Sequence, residues 1–129
     1  MNTQTRATGP RAGAALQTIA MPSDTNVNGD IFGGWLMGQM DLGASVLARS
    51  IAQGRVATIA VTEMLFEHPV HVGDVVSIFP ELVKHGRTSM TLSVTVRIYN
   101  AETSEERQVA SANIVFVAIG RDSRPRPIP

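Results

Sequence analysis

Between Asp24 and Asp41 three residue types stand at spacings that suit acyl transfer. Asn26 carries an amide in a polar, turn-forming stretch, Gly33-Gly34 follows, and Asp41 comes seven residues after Gly34. A glycine pair at the start of a helix leaves the first N–H groups uncovered by side chains. Those groups and the positive end of the helix suit a carbonyl turning into an oxyanion. The same pair also suits a tight loop-to-helix turn packed on a sheet. An amide at Asn26 can donate to a carbonyl or orient water, and in a loop rich in Asp and Asn it equally suits an Asx turn.

Asp41 has Met37, Gly38, Ala44 and Ser45 at its i±3 and i±4 positions. None is cationic, so no ion pair forms within the helix. A carboxylate at the edge of an apolar stripe is partly desolvated and suits a general base or a nucleophile. The other reading pairs it with a distant arginine or leaves it at a solvated edge. Seven helical residues span about 10.5 Å. One reacting carbon cannot touch both Gly34 and Asp41 of a single helix, so a shared reaction implies two protomers.

The elements that must hold these groups follow from periodicity. Leu36, Met40, Gly43, Leu47 and Ile51 recur by steps of four, three, four and four, and Ala44 and Ala48 widen the stripe. They predict one helix from Gly33 to about Gln53, stopped by Gly54. Its small residues suit close burial against a sheet. A first strand is expected over 14–20, and the long irregular loop over 22–32 is the kind that carries function. Val56–Phe66 and Val75–Lys84 read as strands. Met90, Leu92, Val94, Val96 and Ile98 alternate with polar residues, which marks a strand with one dry face. Asn100 to Glu106 reads as a polar turn and Val109 to Ile119 as the last strand. Three domain segments result: a flexible arm over 1–13, one domain over 14–119, and an extended tail over 120–129. One helix cannot cover both faces of a five-stranded sheet, so a homo-oligomer is expected.

Composition narrows the classes. The chain has 129 residues, eleven basic and eleven acidic, and no cysteine. A balanced charge argues against a general nucleic-acid binder. Thiolate nucleophiles, disulfides and cysteine-ligated zinc are excluded. No apolar run is long enough to span a membrane, and the first residues lack a signal's apolar region, so a cytoplasmic location is expected. His68 and His71 have H-x-x-H spacing without a third ligand, so no metal is expected. The hairpin His85-Gly86-Arg87-Thr88-Ser89 offers a guanidinium and hydroxyls to phosphate.

Taken together, Met21-Pro22-Ser23-Asp24-Thr25-Asn26, Asn28-Gly29-Asp30-Ile31-Phe32-Gly33-Gly34-Trp35 and Gln39-Met40-Asp41 resemble the hotdog-fold acyl-CoA thioester hydrolases, in their YciA-like branch. Gly54-Arg55-Val56, Pro69-Val70, Val72-Gly73-Asp74-Val75-Val76 and Gly86-Arg87-Thr88-Ser89 extend the match over roughly residues 15 to 129. The resemblance implies an α+β hotdog fold: an antiparallel five-stranded sheet wrapped around one long helix, two units pairing into a double-hotdog dimer, and dimers assembling in threes as a hexamer. It implies that Asp41 acts as base or nucleophile and that Asn26 helps from the partner chain. It further implies that Gly33 and Gly34 polarise the thioester carbonyl, and that Gly86, Arg87, Thr88 and Ser89 lie against coenzyme A. No cofactor is implied beyond the coenzyme A of the substrate. Glu67-His68 departs from the apolar or basic residues more usual before Pro69, which leaves acyl-chain preference open. The alternatives are a non-catalytic acyl-CoA sensor on the same fold and a hotdog hydratase or dehydratase. The latter looks for a histidine near the loop or helix, and none lies between residues 22 and 67.

Overall fold

The computed structural model describes residues 13–129, so the expected arm over 1–13 lies outside the described residues except for Gly13. The chain order is β1 (Leu16–Ile19), a short 3-10 turn (Pro22–Asp24), α1 (Gly33–Ala52), β2 (Val56–Phe66), β3 (Val75–His85), β4 (Ser89–Asn100) and β5 (Glu105–Ala118). The strands form one antiparallel sheet in the order β1-β3-β4-β5-β2. This is the hotdog arrangement, with β1 and β2 at the edges and α1 against one face.

Small residues set how closely helix and sheet approach. Leu36, Met40, Gly43, Ala44, Ala48 and Ala52 are buried on α1. They face a core that includes Val76, Ile78, Leu92, Val94, Ile114 and Phe116. Gly43 is the tightest point: a Cβ there would stand 2.6 Å from Ile78 Cγ2 and 2.8 Å from Ile78 Cβ. Leu47 and Ile51, on the predicted stripe, are partly buried against the same core.

Several boundaries differ from expectation, each for a local reason. β1 is shorter than 14–20, although Ala15 N and Ala20 N still donate to Ile78 O and Asp74 O. Pro80 is tolerated inside β3 because it lies on the same side as Ile78, beyond the end of β1, where no strand needs its missing N–H. β5 begins at Glu105 rather than Val109, since Asn100 pairs with Glu105 and its Oδ1 accepts from Glu102 N and Thr103 N to close the turn. Gln53, not Gly54, ends the helix by adopting a left-handed conformation (φ 52°), and Gly54 N donates to Arg49 O. Residues 120–129, expected as an extended tail, turn back and dock. Arg126 Nη2 donates to Ala52 O at the end of α1, and Ile128 packs on the core.

Candidate active site

The loop before α1 is built on hydrogen bonds from its own polar residues. Asn26 Oδ1 accepts from Asn28 N (2.8 Å) and Asp30 N (3.2 Å), Asn26 N donates to Asp30 O, and Gly29 turns with φ 84°. The Asx reading of Asn26 is therefore realised. It uses the carbonyl end of the amide and leaves the NH₂ end without an acceptor among the described residues. Phe32 N donates to Asp24 O and Ile31 N to Val70 O, which fixes the approach to the helix.

Phe32 caps α1 without a side-chain bond. Trp35 N and Leu36 N both donate to Phe32 O, and no acceptor among the described residues meets the N–H of Gly33 or Gly34. Gly33 also fits closely under Phe66, since a Cβ there would stand 3.0 Å from Phe66 Cζ and the ring would have to give way. A cavity of ≈ 330 Å³ opens at this point, and Asn26, Asp30, Gly33, Leu36, Phe66 and Glu67 are among the residues lining it. The structure thus brings Asn26 and Gly33 to one cavity, with Gly34 next to them on the exposed side.

Asp41 lies elsewhere. It is half-buried, and its Oδ1 accepts a 2.6 Å hydrogen bond from Thr58 Oγ1 on β2. Among the described residues it forms no ion pair. Thr58 was not legible as a site residue, since it stands 17 positions away and in sequence is one hydroxyl among many. Phe66 likewise carries no signal in sequence, its role being to lie over a glycine from the far end of the same strand. α1 and β2 therefore touch twice near the site, at Asp41–Thr58 and at Gly33–Phe66.

The hairpin Gly86, Arg87, Thr88 and Ser89 forms a third place, closed by Gly86 N donating to Ser89 O. A cavity of ≈ 290 Å³ beside it is lined by Lys84, His85, Gly86, Ser89, Met90 and Thr91. Within one protomer it is separate from the cavity at Gly33. His68 and His71 do not converge: His68 Nδ1 meets Arg107 Nη1 at 3.3 Å, and His71 Nε2 meets Asp30 Oδ1 at 3.6 Å. Among the described residues no three His, Asp or Glu side chains are grouped to hold a metal ion, and no helix is long and apolar enough to cross a membrane.

The family model described as the thioesterase superfamily matches residues 28–105, which takes in the helix, the glycine pair, Asp41 and the hairpin. This chain belongs to the thioesterase superfamily. The acyl-CoA thioester hydrolase YciA of Salmonella typhimurium is 45% identical over 123 residues, covering 93% of this chain and 92% of that one. The protein of the same name from Escherichia coli K12 is 42% identical, covering 93% of each chain. Among solved structures, a hexameric thioesterase from Yersinia pestis superposes with a TM-score of 0.86 at 44% identity, covering 93% of this chain and 98% of that chain. The expected fold and the expected resemblance to YciA-like hydrolases are both borne out for this superfamily member.

Proposed function

We propose that this protein hydrolyses acyl-CoA thioesters, with water attacking the thioester carbonyl to release free coenzyme A and a carboxylic acid. The curated relatives carry the name acyl-CoA thioester hydrolase, and a solved relative with a TM-score of 0.85 is described as a hexameric broad-specificity acyl-coenzyme A thioesterase. In this reading the N–H groups of Gly33 and Gly34 take the carbonyl oxygen, and the NH₂ of Asn26 donates to the same oxygen or to the water. Asp41 removes the proton from water, or attacks first to give a mixed anhydride that water then opens. Gly86, Arg87, Thr88 and Ser89 hold the coenzyme A moiety. The residue roles, the cytoplasmic location and the absence of a cofactor are proposals of the same reading.

The single observation that carries the mechanism is the separation of the start of α1 from Asp41, near the middle of the same helix. The unpaired N–H groups open on a cavity at one end, while the carboxylate is fixed against Thr58 about 10.5 Å further along the helix. β2 is an edge strand, free to pair with another copy. Thr62 lies midway between Thr58 and Phe66. An antiparallel β2–β2 pair centred on Thr62 sets Thr58 of one protomer opposite the partner's Phe66. Asp41 of one chain then approaches the partner's helix start, and two composite sites form per dimer. Dimers assembling in threes would give the hexamer described for the solved relatives. The test is thiol release from acyl-CoAs of varied length. Turnover that survives Asp41→Ala would overturn the role given to that residue, and no turnover with any acyl-CoA would overturn the function.

A further inference from the structure

The sequence reads residues 120–129 as a tail, yet every second residue along its return path is spoken for. A turn forms first: Ser123 N donates to Gly120 O, Gly120 N to Arg124 O, and Arg124 N to Asp122 Oδ1. The chain then runs back beside the end of β5, with Ile119 bridged to Pro125 and Arg126 N donating to Ala118 O. Arg126 anchors it to the helix. Its Nη2 donates to Ala52 O at 2.8 Å and its Nε to Ile119 O at 3.1 Å. Gly54 makes room for this guanidinium, since a Cβ there would stand 2.7 Å from Nη2. Two residues on, Ile128 N donates to Arg87 O at 2.8 Å.

That last bond reaches the hairpin. Residues 84–87 are exposed, and among the described residues the loop is closed internally by the Gly86 N to Ser89 O bond, with His85 Nδ1 near Gly86 O. Beyond the β3–β4 ladder, two backbone donors hold it from outside, Ala118 N on Thr88 O and Ile128 N on Arg87 O. A guanidinium on a loose hairpin loses conformational freedom whenever it grips a phosphate, and that loss is subtracted from binding. A loop already tied at Arg87 gives up less.

We infer that segment 125–128 is a strap, anchored by Arg126 on the end of α1, that positions hairpin 86–89 for the phosphate-bearing end of the thioester substrate. The inference rests on the acyl-CoA hydrolase reading. Arg126 and Ile128 are positioning residues, acting through Arg87 and not on the reacting bond. The strap should therefore set KM for substrates that carry the nucleotide and leave kcat unchanged.

The experiment compares Ile128→Pro with Ile128→Ala in the full-length chain. Both lose the isoleucine side chain, and only proline loses the N–H that meets Arg87 O. Each is assayed with an acyl-CoA and with the matching acyl N-acetylcysteamine thioester, which has no phosphate. The expected result is a KM for acyl-CoA about fivefold higher in Ile128→Pro than in Ile128→Ala, from one net hydrogen bond. Values of kcat stay within about twofold on that expectation. The KM for the truncated thioester is the same in both. A chain ending at Pro127 keeps Arg126, lacks the same N–H and carries the same expectation. Equal KM values for acyl-CoA in the two variants would overturn the strap. So would a parallel rise for both thioesters, which marks general loosening. A wild-type protein that turns over neither thioester would instead bring down the hydrolase reading, and the strap with it.

Discussion

Replacing Thr58 by valine tests whether Asp41 is aimed. Valine keeps the shape of threonine and removes the O–H that meets Asp41 Oδ1 at 2.6 Å. A hydrogen bond to a charged group contributes about 1.5–3 kcal/mol. Thr58 is exposed and Asp41 only half-buried, so solvent screening places the value at the low end. If the bond holds one carboxylate oxygen so that the other faces the reacting water, a loss of about 1.4 kcal/mol lowers kcat about tenfold. KM should hold, since Thr58 touches no part of the coenzyme A in this scheme, and Thr58→Ser should recover most of the loss. Thiol release read with a colour reagent measures both constants, and a protein without cysteine adds no background. A Thr58→Val enzyme within twofold of wild type, beside an inactive Asp41→Ala, would refute the positioning argument. So would a serine variant as impaired as valine.

Other outcomes follow from the same geometry. Gly43→Ala drives a methyl into Ile78, whose Cβ is fixed to β3 and cannot swing away; overpacking of about 1–3 kcal/mol outweighs a helix-propensity gain of about 1 kcal/mol. Its melting temperature should fall by several degrees, read by thermal unfolding beside the wild-type protein. Asp41→Ala subunits mixed and refolded with Gly34→Val or Asn26→Ala subunits should regain activity that neither variant has alone, and hybrids that stay inactive would count against a shared site. Dialysis against a chelator should leave turnover unchanged, checked by the same thiol assay before and after.

Much of the scaffold was legible because burial imposes periodicity. The four-three-four spacing from Leu36 to Ile51 marked α1 to within one residue of Gly33–Ala52, and β2 was bounded by Gly54 ahead and Glu67-His68-Pro69 behind. Alternation along β4 was visible because one face packs on the helix and the other does not. The start of β5 was hidden by Glu105, Glu106 and Arg107, charges that a solvated ladder end tolerates: Arg107 pairs with Glu105 along the strand, and Glu106 pairs with Arg97 across it. The docked tail was hidden because three prolines and three arginines carry no period; its order comes from carbonyls at 52, 87, 118 and 119 that only the fold assembles. At the candidate site, Asn26, Gly33 and Asp41 stood out by type and spacing. Thr58 and Phe66 did not, since each matters through one contact made at long range.

On the proposed β2–β2 pairing, the open edge of β2 gives the enzyme an unusual vulnerability. If the start of one rod completes its reactive centre only with the middle of a neighbour's, activity per molecule is a property of concentration as well as of sequence. Diluted below the point where chains find each other, every subunit would fall silent together, with no residue altered. By the same reasoning a substitution on that rim, far from any thioester, would count as a lesion in the chemistry itself.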